Sequence, residues 1–502
     1  MARTYLHDPN LSNKDLAPVP QSERTWNARD IASLWVGMAV CIPTYSIASS
    51  LLSNGLTWWQ AVLTVLLGNV IVLIPMILNA QPGTAYGIPF PVLLRASFGT
   101  RGANIAAMMR GMVACGWFGI QTWIGGDAIY TTLGMIFGFD KGPPIAWLGI
   151  SAGQFTCFMA FWAINVYFIL AGMESIKWLE VLSAPFLLIV GVALMLWAVS
   201  KVGGFGPILT QTSKALPVDE FLPKFGAGLT AMVGFWATLS LNIPDFSRYA
   251  RTQRDQVIGQ TVGLPPTMTL YSFIGIVVTG ATVVLYGQGI WDPVQVIGKI
   301  GNKWLSAVAL VALAVATLST NIAANVVSPA NDFSNLAPRR ISFRMGGMIT
   351  AVIGILMVPW KLYADPNNYI VTWLIGYSAL LGPIAGIMIA DYYIVRSRKL
   401  DVDDLYRADG IYRYTRGFSL AALAVFVLAV LPNLPGFLVQ VKLVDYGRVT
   451  SWVTACGIAP EHVTGATDGL IGLYQQAWFV GFGLAFVLYL LVRKIAPVQY
   501  YR

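Results

Sequence analysis

Runs of about 17 to 25 apolar residues, separated by short polar stretches, recur along the whole chain from Ile31 to Val492. They predict membrane-spanning helices near 30–53, 57–80, 103–136, 143–171, 175–200, 226–248, 262–287, 304–329, 342–362, 369–394, 417–437 and 470–493. No polar module large enough for a soluble domain interrupts them. The pattern therefore predicts an all-α membrane protein of about 12 transmembrane helices in one membrane domain.

Composition agrees, since 56% of the 502 residues are hydrophobic and 11% are charged, too few to coat a water-soluble surface. The net charge of +9 lies in Lys and Arg scattered between apolar runs, with no basic arm interleaved with aromatics. That excludes nucleic acid as a partner and leaves membrane lipid and a small-molecule substrate. With the N-terminus placed in the cytoplasm, inside segments hold 23 basic residues and outside segments 9. An even span count returns the C-terminus to the same side, so both termini are expected to be cytoplasmic, in the plasma (bacterial inner) membrane. The first thirty residues carry charges with Pro9, Pro18 and Pro20, so the first span itself is expected to direct insertion. Cys41, Cys115 and Cys157 lie in apolar runs and Cys456 in a loop, which makes no disulfide framework. His7 and His462 fall outside the spans, and Walker A, HExxH and Gly-x-Ser-x-Gly patterns are absent. Neither an enzyme nor a cofactor is expected. The sequence is silent on oligomeric state, and a monomer is compatible with it.

A weak internal repeat organises the spans. Cys41-Ile42-Pro43-Thr44-Tyr45 in the first matches Asn242-Ile243-Pro244-Asp245-Phe246 in the sixth. Helix-breaking residues at matching places predict discontinuous helices around a midplane site. Gln121 and Asn325 each fall on the third helix of their own five-helix half, and five helices per half forces the halves to be inverted. The expected organisation is a cytoplasmic segment 1–29, a first repeat 30–200, a second repeat 226–394, two added helices in 417–493 and a tail 494–502.

Polar groups deep in hydrocarbon are costly and hence candidates for function. Trp117 and Gln121 lie at i and i+4 on one face of the third span. An aromatic face beside an amide suits a flat ring with imide or urea edges. Trp236, in Gly234-Phe235-Trp236, supplies a second aromatic in the sixth span. In the eighth span Ser319 and Thr320 are hydroxyl ligands of the kind a small cation needs, the unwound first span can add carbonyls, and Asn321 and Asn325 share another face. Asp245 with Arg248 and Asp391 with Arg396 read as interfacial pairs, and acidic groups in or near spans also include Asp127 and Glu180. Gly382-Pro383-Ile384-Ala385-Gly386 reads as a close helix contact or a bendable gate. A channel would need a continuous polar stripe, and these groups cluster at one level instead.

Several ordered motifs resemble the nucleobase–cation symporter family 1. They are Asp15-Leu16-Ala17-Pro18 with Arg24-Thr25-Trp26, Trp117-Phe118-Gly119-Ile120-Gln121, Leu241-Asn242-Ile243-Pro244-Asp245-Phe246-Ser247-Arg248-Tyr249, Ser319-Thr320-Asn321 with Asn325, and Gly382-Pro383 leading to Asp391-Tyr392. The resemblance runs from about residue 13 to the twelfth span. It implies a LeuT-like 5+5 inverted repeat plus two C-terminal helices, alternating access, and import of a planar nucleobase or cyclic ureide (allantoin, hydantoin or uracil) with Na+ or H+. Trp117 and Trp236 would stack the ring from two sides, and Gln121 and Asn325 would bond its edge. The cation site would combine carbonyls of Gly37, Val40 and Ala316 with hydroxyls of Ser319 and Thr320. Cys41 stands where some relatives present an amide to substrate, and Phe235 where the hydantoin carrier has glycine; the added bulk implies compact rings. An amino-acid or other small-solute permease of the same architecture is the alternative.

Overall fold

The computed structural model describes residues 8–138, 142–171, 173–212 and 216–498, apart from the side chains of 173–184. Of the groups named above, His7 and the side chain of Glu180 lie outside the described residues, as do five of the basic residues counted there, Arg3, Lys141, Lys214, Arg502 and, by its side chain, Lys177. Helices account for every expected span. The second is Trp58–Tyr86, the third Ala103–Phe137, the fifth Met173–Val202, the seventh Gln253–Tyr286, the tenth Asn368–Val395, and the eleventh starts at Leu420. The twelfth is Ala477–Ile495. Among the described residues eight helices are long and apolar enough to cross a membrane, nine with the bent first span. The third span, whose polar and glycine residues dilute its hydropathy, the broken sixth and the 14-residue ninth, Phe343–Leu356, occupy the remaining expected places.

Several boundaries differ from the expectation: the sixth span starts at Val218, not near 226, the seventh at Gln253, not near 262, and the twelfth at Ala477, not near 470. The fourth span starts at Ala152, not near 143. Pro143 and Pro144 cannot donate to a helical ladder, Gly149 turns with φ of 81°, and Pro144 bridges back to Ser151. The sixth span breaks at Trp236, eight positions before the expected Pro244. Pro244 instead occupies the first position of the short last turn Pro244–Ser247, where its missing N–H costs nothing. The first span behaves as expected: Ala28–Ala39 ends, Val40 and Cys41 are non-helical, and Ile42–Ser53 restarts at an angle of 58°. Pro43 again sits in the first turn of the new helix.

Third and eighth spans pack along their lengths, the first half-helix lies on the seventh span, and the tenth lies on the twelfth. The last contact explains Gly382 and Gly386. A side chain at either would meet twelfth-span backbone, at Trp478 O (2.7 Å) or at Phe482 O. Close packing, the plainer of the two readings, accounts for this motif.

The strongly basic segments meet at one end of the molecule. Arg24 bonds the carbonyls of Thr84 and Ala85, and Arg95 reaches Leu405 O and Asn335. Arg396 pairs with Asp391 at 2.6 Å, and Tyr489 donates to the same carboxylate. The N-terminal segment laces these parts together through Asn13 to Ser334, Tyr406 to Leu16 O, and Trp26 N–H to Tyr249 O. The expected pairing of Asp245 with Arg248 is not formed. Asp245 accepts from Phe90 N–H at 2.9 Å, at the start of helix Phe90–Phe98, while Arg248 donates to Asp15 O. A carboxylate at a helix N-terminus is already well placed against the peptide dipoles.

Candidate functional site

The third span carries the centre of the site. Its Trp117 and Gln121 are both buried. Gln121 Oε1 has no hydrogen-bond partner. Trp117 Nε1–H donates to the hydroxyl of Tyr377 at 3.3 Å. The rings of Phe235, Tyr369, Trp373 and Tyr377 surround its indole at centroid distances of 5.2, 6.1, 6.1 and 6.5 Å, all meeting it at 70° to 90°. An edge-on collar of this kind fixes an indole by quadrupole contacts.

The broken sixth span places Phe235 and Trp236 against this collar. Phe235 meets Trp117 on one side and Trp236, 4.9 Å away and perpendicular, on the other. Trp236 leans in turn on Trp35 of the first span at 5.2 Å, with its Nε1 unpartnered. Trp236 is thus joined to Trp117 through Phe235. Cys41, at the first-span break, is buried with Sγ 3.2 Å from Thr44 Oγ1, and Thr44 donates on to Met268.

Asn325 ends the eighth-span helix Lys303–Asn325 and donates to Asn321 Oδ1 at 3.0 Å. Asn321 itself bonds Phe118 O, Thr122 Oγ1 and Asn165 Oδ1 at 3.2, 3.1 and 3.1 Å. One amide thereby ties the third, fourth and eighth spans, and Asn325, one helical turn further along the eighth span, is oriented through it. This division of labour between two asparagines of the same face was not separable in sequence.

Backbone geometry at the first-span break has a direct chemical result. The Cys41 N–H, which in a continuous helix would bond Gly37 O, bonds Ala39 O, and the Thr44 N–H bonds Cys41 O in place of Val40 O. The carbonyls of Gly37 and Val40 are thus released from the helical ladder. This half-helix packs against the eighth span, where Ser319 Oγ is buried without a partner and Thr320 Oγ1 donates to Ala316 O at 3.1 Å. The arrangement offers hard oxygen ligands of the type that holds a small cation.

The tenth span contributes residues that sequence reasoning missed. Tyr369, Trp373 and Tyr377 recur at i, i+4 and i+8, an aromatic stripe readable in the sequence but identical in appearance to a packing face. Tyr369 donates to Pro43 O at the first-span break (3.1 Å), and Tyr377 donates to Gly234 O at the sixth-span break (2.8 Å). Asp127, at the far end of the third span, lies 3.4 Å from Gln154 Nε2.

Residues 18–481 match the family described as permease for cytosine/purines, uracil, thiamine, allantoin. A purine-uracil permease NCS1 of Arabidopsis thaliana is 43% identical over 98% of this chain and 79% of its own length. An allantoin permease of Bacillus subtilis is 40% identical over 97% of this chain and 94% of its own. The structure of Mhp1, a nucleobase-cation-symport-1 family transporter in a closed conformation with bromovinylhydantoin bound, matches with a TM-score of 0.76 at 26% identity, covering 98% of each chain. The family match spans nearly every helix, including both broken ones. The chain therefore belongs to the cytosine/purine, uracil, thiamine and allantoin permease family and is an integral membrane transporter, not an enzyme, as the resemblance of its motifs implied.

Proposed function

We propose that the protein is a secondary symporter importing a compact planar ring, a nucleobase or cyclic ureide such as allantoin, hydantoin or uracil, together with sodium. The observation that carries this reading is Gln121 Oε1, a buried carbonyl without a donor, one helical turn from the indole of Trp117. Leaving such a group unsatisfied costs about 1–3 kcal/mol, and an imide or urea N–H would satisfy it. The ring stacks on Trp117, with Trp236 closing from the sixth span, Asn325 reading a second edge, and Phe235 and Cys41 limiting the space around it. Names of relatives support the ligand class: an allantoin permease, a uracil permease and a hydantoin permease all match this chain.

Sodium sits between the freed carbonyls of Gly37 and Val40 and the eighth-span oxygens of Ala316, Ser319 and Thr320. The units 30–200 and 226–394 move against each other about this level, so that site and cation are exposed to one side at a time. Both termini face the cytoplasm of the plasma membrane, because the basic end of the molecule is the one that the positive-inside rule assigns to that side.

The test is competition. Uptake of radiolabelled allantoin into proteoliposomes is challenged with pyrimidines, purines, ureides and hydantoins, with sodium present or replaced by choline. Small rings should compete and benzyl-substituted hydantoin should not, and choline should abolish uptake at constant pH. Preference for benzylhydantoin sinks the compact-ring assignment. Uptake driven equally by a pH gradient in choline replaces sodium with protons.

A further inference from the structure

The tenth span contacts both helix breaks through tyrosine hydroxyls, and one of these also holds the indole on which the substrate reading turns. Tyr377 is buried. Its hydroxyl accepts from Trp117 Nε1–H at 3.3 Å and donates to Gly234 O at 2.8 Å. Gly234 lies two residues before the sixth-span break, where its carbonyl is met along the chain by the N–H of Trp236. The absence of a side chain at Gly234 is what lets the tenth span come this near: a Cβ there would stand 2.9 Å from Leu374 O and collide with Ser378. Three spans therefore converge on one phenol.

We propose that Tyr377 is a positioning residue for substrate recognition, setting the plane of the Trp117 indole relative to the broken sixth helix and thereby the ring that fits. An indole has two torsions to fix. The edge-on rings around Trp117 restrain it by shape, but the hydrogen bond to Tyr377 is the contact that specifies which edge of the indole faces the tenth span. The same hydroxyl is anchored to backbone at Gly234, so it transmits the position of Phe235 and Trp236 to Trp117. Tyr369, two helical turns away, bonds Pro43 O and touches Trp117 only by its ring edge. It serves as the internal comparison, since it shares the stripe without sharing the bond.

The inference rests on Trp117 being the stacking face. Equilibrium binding of radiolabelled allantoin to purified protein at saturating sodium is measured for wild type, Tyr377→Phe, Trp117→Phe, the double variant, Tyr369→Phe and Trp117→Ala. Tyr377→Phe keeps the ring and should raise Kd roughly three- to tenfold. Trp117→Phe removes the other partner of the bond, so the two effects should fall short of multiplying in the double variant. Tyr369→Phe should change Kd less than Tyr377→Phe. A role in folding alone would lower thermal stability and the amount of binding-competent protein without moving Kd. An unchanged Kd in Tyr377→Phe, or effects that multiply fully in the double variant, overturns the inference. If Tyr377→Phe does not yield folded protein, Trp117→His, which can return an N–H toward Tyr377, decides: it should bind more tightly than Trp117→Phe, and equal affinity overturns the proposal. If Trp117→Ala leaves Kd unchanged, it is the stacking assignment itself that fails.

Discussion

Two buried amides on packed spans, Asn321 on the eighth and Gln121 on the third, illustrate how differently the same chemical group can be used. Asn321 has its Nδ2 shared among Phe118 O, Thr122 and Asn165 and its Oδ1 taken by Asn325. Gln121 has a buried Oε1 that accepts no hydrogen bond from the protein. Replacing Asn321 by Ala leaves several partners of a three-span junction unpaired and is expected to cost about 1–3 kcal/mol of stability, seen as a lower Tm in detergent. Gln121→Leu removes a buried acceptor that folding leaves unpaired, so Tm should hold or rise while the Kd for allantoin increases by about tenfold or more. A loss of stability in Gln121→Leu without a loss of affinity would show that its amide works for the fold. Trp117, Gln121 and the eighth-span asparagines were legible in the sequence because polar groups are rare in spans and their presence asks for a reason. Tyr369, Trp373 and Tyr377 were not, because an aromatic stripe looks the same whether it packs or positions. Asp245 was misread because proximity in sequence to Arg248 says nothing about the Phe90 amide, which comes from another part of the chain.

At the scale of the element, helix interruption decides what the backbone can offer. In the first span the break at Val40 and Cys41 diverts two amides and frees the carbonyls of Gly37 and Val40. Pro43 marks this place well, since it begins the helix that follows. In the sixth span the same logic placed the break too late. Pro244 starts a final turn, and the actual interruption at Trp236 follows Gly234, whose bare Cα faces the tenth span. Proline is thus a marker of helix starts as much as of helix ends, and a tertiary contact set the boundary that local propensity did not. The first half-helix packs on the eighth span, whose Thr320 Oγ1 donates to Ala316 O. Thr320→Ala should therefore raise the sodium concentration for half-maximal uptake by about tenfold, with Thr320→Ser restoring it and the allantoin Kd at saturating sodium nearly unchanged. An unchanged sodium dependence in Thr320→Ala would place the cation elsewhere.

For the molecule as a whole, the series of apolar membrane helices was visible from hydropathy alone, because the bilayer imposes a length on every span. The structure adds that the basic segments converge at one end, where the N-terminal segment ties loops from both halves of the chain. Cys456 is exposed between the eleventh and twelfth spans, and the other three cysteines are buried. A membrane-impermeant maleimide should label Cys456 in intact cells; labelling only after the cells are opened would reverse the orientation. A planar ring and a cation that share one alternating-access cycle, as proposed, are bound by linkage: whatever factor sodium contributes to ring affinity, the ring must contribute to sodium affinity. The most direct measurement is therefore equilibrium binding of allantoin across a sodium titration at fixed pH, together with the reciprocal sodium titration across allantoin concentrations. Each ligand should lower the Kd of the other by the same factor, about five- to 150-fold, and Thr320→Ala should shift the sodium dependence of both curves to higher concentration. Ring affinity that is indifferent to sodium over the whole titration would contradict this coupling.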